Sequence, residues 1–87
     1  MRITQTGQFR KDAKRQKKRG KDLRKIQVVV NHLVARKDLP DNYRDHQLAG
    51  NWVGWRDCHL EPDWLLIYKI LDDKIILGRT GSHSDLF

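Results

Sequence analysis

Along residues 21–37 apolar side chains recur at spacings of three and four, which places Leu23, Ile26, Val30, Leu33 and Val34 on one helical face. The stretch before it, from Gly7 to about Lys18, consists of strong helix formers but carries only a thin apolar stripe, Phe9 and Ala13. Gly20 stands where the first helix can stop and Pro40-Asp41-Asn42 where the second must, so the two read as an antiparallel helical hairpin. Beyond Tyr43 the period shortens. Segments 51–60, 64–71 and 74–80 are rich in Trp, Val, Ile, Leu and Tyr and are separated by Glu61-Pro62-Asp63 and Asp72-Asp73, the pattern of an antiparallel meander. Segments 45–49 and 2–6 are expected to pair at its flanks, because a three-stranded sheet covered by helices would otherwise leave both edges open. Ser82-His83-Ser84-Asp85 has capping-box form, with Asp in place of the usual Glu, and predicts a last helical turn ending at Phe87. Helices first and strands afterwards give an α+β fold of two layers, one domain over residues 1–87.

Composition adds a partner class. A chain of 87 residues has room for one modest core, and its 18 Lys and Arg against 11 Asp and Glu leave a net charge of +7. The excess is confined to the helical half: residues 1–44 hold 14 basic and 4 acidic side chains, net +10, whereas residues 45–87 hold 4 and 7, net −3. Arg10, Lys11, Lys14, Arg15, Lys17, Lys18, Arg19, Lys21, Arg24 and Lys25 thus form a surface suited to a polyanion, nucleic acid or an acidic protein. A lone cysteine, Cys58, excludes an intrachain disulfide framework, and no apolar run has the length of a membrane span. Met1–Gly7 is not followed by the apolar core of a secretory signal, so a cytoplasmic protein is expected.

The second half also gathers polar residues that sheet packing would not choose: His46, Arg56, Asp57, His59, Asp63, Arg79 and His83. Alternation along 51–60 puts Val53, Trp55, Asp57 and His59 on one face, and Trp52, Gly54, Arg56, Cys58 and Leu60 on the other. Each face mixes aromatic and charged groups, so alternation alone does not say which one meets the helices. His46 at the edge, His59 near a strand end and His83 just past the last strand can share one rim. Histidine both takes and gives a proton near neutral pH, which is what metal-free RNA cleavage requires. A base removes the 2′-hydroxyl proton, the oxygen attacks the adjacent phosphate, an acid protonates the leaving 5′-oxygen, and a cation such as Arg79 or Arg56 steadies the added negative charge. Metal chemistry lacks its spacing here, since there is no CxxC, HxxxH or HExxH and Cys58 and His59 point to opposite faces, so no cofactor is expected. Cys58 reads as a small buried hydrophobe and His32 as a helix residue remote from the other three histidines. Gly50 and Gly54 mark a turn and a strand bend rather than a phosphate loop, while the tryptophans pack the core unless one also stacks on a base.

The blocks Asp45-His46-Gln47-Leu48, Gly50-Asn51-Trp52, Arg56-Asp57-Cys58-His59-Leu60-Glu61-Pro62-Asp63-Trp64, Ile67-Tyr68 and Arg79-Thr80-Gly81-Ser82-His83-Ser84-Asp85-Leu86-Phe87 resemble the YafQ type of bacterial toxin, a branch of the RelE/ParE superfamily. The likeness is specific from about Tyr43 onward and matches in character over the helices. It implies a ribosome-dependent endoribonuclease that cuts messenger RNA in the decoding site, partnered by an antitoxin that should be net acidic where it meets the basic half. Carried over by position, it implies His46, His59, Asp63 and His83 as the catalytic set, with His83 as general acid and Asp63 or His59 as base. Arg79 becomes a phosphate contact, Phe87 a base-side or positioning group, and Arg56 and Asp57 orient the histidines. RNA contacts are further expected from Arg56, Lys14, Lys17, Lys18 and Arg19. RelE relatives rely on lysine, arginine and tyrosine, and this chain departs from them toward histidine and carboxylate. The same superfamily fold also serves ParE-like inhibition of DNA gyrase, and a non-catalytic RNA-binding module is a third reading. Three rim histidines argue for the nuclease, because an inhibitor has no use for proton shuttles.

Overall fold

The computed structural model describes residues 1–87, which form three helices and one five-stranded sheet. Strand β1 (Arg2–Gln5) leads into helix α1 (Gly7–Lys18), and α2 (Arg24–Val34) follows. Then come β2 (His46–Gln47), β3 (Arg56–Glu61), β4 (Trp64–Leu71), β5 (Lys74–Gly81) and the closing turn α3 (His83–Leu86). The sheet order is β1-β5-β4-β3-β2. The meander β3-β4-β5 and both flanking segments form as expected, but β1 lies parallel to β5, so the sheet is mixed rather than antiparallel. A parallel pair needs a long crossover, and everything from α1 to β4 supplies it.

Thr6 caps α1, its hydroxyl accepting from the Phe9 N–H at 3.0 Å while donating to the Gly78 carbonyl at 2.8 Å. Phe9 and Ala13 pack on the core as expected, and Asp12 and Gln16 are buried beside them. Asp12 faces the sheet because β1 pairs only with Lys74–Leu77, and beyond it the Thr80 N–H has no strand partner; the Asp12 carboxylate accepts that N–H at 3.2 Å. Helix α2 is shorter than the predicted 21–37. It begins where the Asp22 carboxylate accepts the Arg24 N–H at 3.0 Å and ends before Arg36, whose φ of 56° is left-handed. Its core side is Ile26, Val29, Val30 and Leu33, while Val34 is exposed. With Phe9 these residues pack on Cys58, Leu60, Trp64, Leu66, Tyr68, Ile75 and Leu77, which defines the helix-covered side of the sheet.

Strand β3 starts at Arg56, not at Asn51. Gly50 (φ 65°) and Gly54 (φ 89°) adopt conformations open to glycine and bracket a 3-10 turn, Gly50–Trp52, that takes Trp52 and Val53 out of the strand. Two bulges re-aim side chains further along. Register passes from Tyr68↔Leu77 to Ile67↔Arg79, so Gly78 is left over and the alternation along β5 inverts. Arg79 therefore shares the face of Ile67, opposite the helices. A Cβ on Gly78 would lie 2.5 Å from the Trp55 ring, so the bulge is also where that indole seats.

Candidate active site

Partners in register share a face, and the row His46, Asp57, Ile67, Arg79 runs across β2 to β5 on the side the two long helices leave open. The next row is His59, Leu65, Gly81. Leu65 and Ile67 make a small second core with Leu86 of α3, flanked by Leu48, Trp52 and Trp55. This apolar patch seats α3 on the sheet and brings His83 to His59, their ring centroids 5.5 Å apart. Asp63, in the turn between β3 and β4, accepts from the His83 backbone N–H at 2.9 Å and lies 2.5 Å from its Nδ1. A carboxylate at Nδ1 leaves Nε2 as the free nitrogen of that ring. The two bonds, backbone first, hold the Asp63 carboxyl below the usual carboxylate range, so it is ionised at neutral pH.

Asp57 lies at the centre. Its side chain is buried, and its Oδ1 is 3.0 Å from Nδ1 of His46, yet that ring N–H is directed at the Arg44 carbonyl, 2.8 Å away. Oδ1 of Asp57 is consequently a buried polar atom without a hydrogen-bond partner, and Nδ1 of His59 is another. Burial pushes the Asp57 carboxyl up, and the charges of His46, His59 and His83 pull against it. Three imidazoles around one poorly solvated carboxylate form a proton-handling site: a positive charge arising on any ring meets a fixed counter-charge, with little water to reorganise.

The model of the YafQ family, bacterial toxins of type II toxin–antitoxin systems, matches residues 1–87. The chain belongs to that family. It is 45% identical over 86 residues, 98% of this chain and 94% of the relative, to the mRNA interferase toxin YafQ of Escherichia coli K12. The crystal structure of YafQ from E. coli BL21(DE3) superposes with a TM-score of 0.92 at 44% identity, covering 100% of this chain and 99% of that one. YafQ in the E. coli DinJ-YafQ complex gives 0.90 at 45% identity with the same coverage. The α+β fold with its two long helices on one side of a small sheet is thus that of YafQ structures.

Of the residues the YafQ resemblance implies, His46, His59, Asp63 and His83 meet on one rim, with Asp57 beneath them. Phe87, 60% exposed, ends the chain beside them, its N–H bonded to the His83 carbonyl at 2.8 Å. Arg79 is on the same face and is held by Asp12, which accepts its Nε at 2.7 Å and its Nη2 at 3.3 Å and leaves Nη1 unbonded. Arg56 is not part of this group. Its register partner is Tyr68, on the helix-covered side, and its guanidinium pairs with Asp45 at 2.9 Å, to which the Tyr68 hydroxyl also donates. The basic surface is narrower than the composition implies, since Lys21 and Lys25 pair with Glu61, Arg24 with Asp22 and Arg19 with Asp85. Lys14, Lys17 and Lys18 remain exposed on α1 without an acidic partner. His32 is bound to its own helix through the Val28 carbonyl, and Cys58 is fully buried with its thiol pushed up by burial, so neither belongs to a site. Nowhere are three His, Cys, Asp or Glu side chains placed to hold a metal ion, and no helix is long and apolar enough to cross a membrane.

The sequence placed Asp57 beside His59 as a residue that orients the histidines, and in the structure it is the buried centre of that group. Sequence reasoning missed one element of this arrangement. Asp12 is the anchor of Arg79, and its signal was a carboxylate four residues before Gln16 on the buried side of an otherwise basic helix.

Proposed function

We propose that this toxin is a ribosome-dependent messenger-RNA endoribonuclease that cleaves by 2′-hydroxyl attack without a metal. The observation that carries the reading is the group of His46, His59 and His83 around the buried Asp57 carboxylate, whose Oδ1 accepts no hydrogen bond. In this scheme His83 is the general acid: Asp63 fixes Nδ1, and Nε2 delivers the proton to the leaving 5′-oxygen. Asp63 is better suited to orienting His83 than to acting as base, because its Oδ1 already accepts the backbone N–H and faces Nδ1. His59, beside His83, takes the 2′-hydroxyl proton at Nε2, since its Nδ1 is buried. Asp57 faces the charge that forms on the ring, and His46 closes the group at the sheet edge. Nη1 of Arg79 meets the phosphate while Asp12 fixes the guanidinium. Phe87 stacks on or positions the neighbouring base, and Lys14, Lys17 and Lys18 meet ribosomal RNA phosphates, which makes binding strongly salt-dependent.

The partner in regulation is a cognate antitoxin, which the solved E. coli DinJ-YafQ toxin-antitoxin complex supports, and it is acidic where it meets the basic half. The toxin works in the cytoplasm, where the ribosomes are. The deciding experiment is primer extension on a defined message in a purified translation system, comparing wild type with His83→Ala, with and without ribosomes. Cuts that require ribosomes and vanish in the variant support the assignment. Cleavage of free RNA would make it a ribosome-independent nuclease, and absence of cleavage would turn attention to a gyrase supercoiling assay.

A further inference from the structure

Helix α3 carries His83 and immediately precedes Phe87, yet it is one turn of four residues, too short to persist by itself. Leu86 seats it on Leu65 and Ile67, and the Ser82–Asp85 capping box closes its first turn. Asp63 accepts the His83 N–H from the turn before β4, and one further tie is more remote in sequence. The Asp85 carboxylate receives Arg19 at the end of α1 through two bonds, Nη1 to Oδ2 at 2.6 Å and Nη2 to Oδ1 at 3.2 Å. Oδ2 also takes the Ser82 N–H at 2.9 Å and lies 3.5 Å from Nε2 of Gln16, one turn before Arg19 on α1. A Cβ on Gly81 would sit 2.9 Å from Asp85 Cβ and Oδ2, so the carboxylate is pressed against the end of β5 with no slack. The Arg19 hydrogen bond is the largest reason the Asp85 carboxyl lies far below the ordinary range.

We propose that Arg19 and Asp85 are positioning residues for the reaction: through α3 they set His83 and Phe87 against the message, and Arg19 is not an RNA contact like its neighbours Lys17 and Lys18. The proposal rests on the endoribonuclease reading above. It makes the C-terminal end of the basic helix part of the catalytic frame. His83 is then held from two sides, by Asp63 directly and by Arg19 through Asp85. Loss of either tie lets the imidazole wander while leaving the RNA-binding lysines in place. Displacements of the order of 1 Å in a catalytic group can cost up to roughly a hundredfold in rate.

The test is a cycle of Arg19→Gln, Asp85→Asn and the double variant on ribosomes programmed with a defined message, read as single-turnover rate and KM. Amide hydrogen exchange at Leu86 and Phe87 is measured alongside. Each single variant should lose roughly tenfold in rate with KM changed less than about twofold, and the double should be no slower than the slower single. Arg19→Lys, which keeps the charge but not the fork, should recover part of the rate. Lys17→Gln should instead raise KM and flatten the salt dependence. Exchange at Leu86 and Phe87 should accelerate about tenfold in Arg19→Gln while the Val29 and Val30 amides hold. A rise in KM at constant rate for Arg19→Gln, multiplicative losses in the double variant, or unaltered exchange would each overturn the proposal. A wild type that cuts no message would bring down the endoribonuclease reading instead, and the exchange data then still decide whether Arg19 holds α3. Should Asp85→Asn fail to fold, Arg19→Gln and Arg19→Lys carry the test.

Discussion

Replacing Asp12 by Asn is expected to lower stability by about 2–3 kcal/mol, the loss of charge assistance on two bonds plus one bond outright. The carboxylate is 1% exposed and accepts from Nε and Nη2 of Arg79 at 2.7 and 3.3 Å, from the Thr80 N–H at 3.2 Å and from Gln8 at 3.1 Å. Asparagine keeps the shape but offers one acceptor oxygen where two work now, and turns an NH2 toward donors. Complete rupture of a buried pair costs about 3–5 kcal/mol, but the Arg79 side chain is 23% exposed and can still find water, which keeps the figure below that range. In a domain of this size each kcal/mol moves the midpoint by about 4–8 °C, so the variant should melt about 10–20 °C lower. The pH dependence has a definite sign. Burial raises the Asp12 carboxyl, but the bonds from Arg79, Gln8 and Thr80 outweigh it and the folded pKa is depressed. The stabilisation is therefore fully present above the unfolded value of about 3.9 and is lost as pH falls through the folded one. Thermal unfolding followed by circular dichroism at neutral pH and stepwise into acid checks both statements. A variant melting within about 2 °C of wild type at pH 7 would refute the argument that Asp12 is what completes the open edge of β5.

Asp57→Asn should abolish most cleavage while raising the melting temperature at pH 7 by an amount worth about 1 kcal/mol, because it removes a poorly solvated carboxylate. The folded pKa of Asp57 is raised, so the wild type loses stability as pH climbs from about 3.9 to that value and the variant does not; parallel melts from pH 3 to 7 show the difference. Gly78→Ala should destabilise by about 1–3 kcal/mol in denaturant titration, since its Cβ would fall 2.5 Å from Trp55; an unchanged midpoint would show that the indole can move. Asp63→Asn should lower the cleavage rate by roughly ten- to a hundredfold with little change in KM, because it loosens Nδ1 of His83 without touching the RNA surface; a change confined to KM would contradict its orienting role.

Much of the fold was legible because apolar period and turn residues are local signals. The spacing of Ile26, Val30 and Leu33 and the turns at Glu61-Pro62-Asp63 and Asp72-Asp73 mark elements that the structure contains. What was not legible depends on partners distant in the chain. The parallel pairing of β1 needs β5 to be in place, and the inversion at Gly78 is invisible to a strict two-residue period. The start of β3 was overextended because Trp52 and Trp55 resemble strand residues, although the glycines on either side of Trp52-Val53 already marked the turn. For the site, His46, His59, Asp63 and His83 stand together where the histidine pattern suggested a common rim. Arg56 does not, since the face it occupies is fixed by pairing with Tyr68 rather than by its neighbours in sequence.

Among the ion pairs that join the two halves of opposite net charge, two from the basic run lead to the site. Asp12 runs against the prevailing sign of α1 and reaches Arg79 on β5; Arg19 follows it and reaches Asp85 on α3. Each joins residues more than sixty positions apart, at β5 and just beyond it. Arg79 and His83, the cation and the acid of the proposed cleavage, are thus each steadied by the helix that presents Lys14, Lys17 and Lys18 to solvent. On the proposed function, one rigid element would dock on polyanionic RNA and fix the reacting groups at once, so that orientation of the toxin on the ribosome and orientation of His83 toward the message would be the same constraint. An acidic antitoxin, as proposed for the basic half, would meet that same element, and by covering α1 it would block docking without touching a histidine.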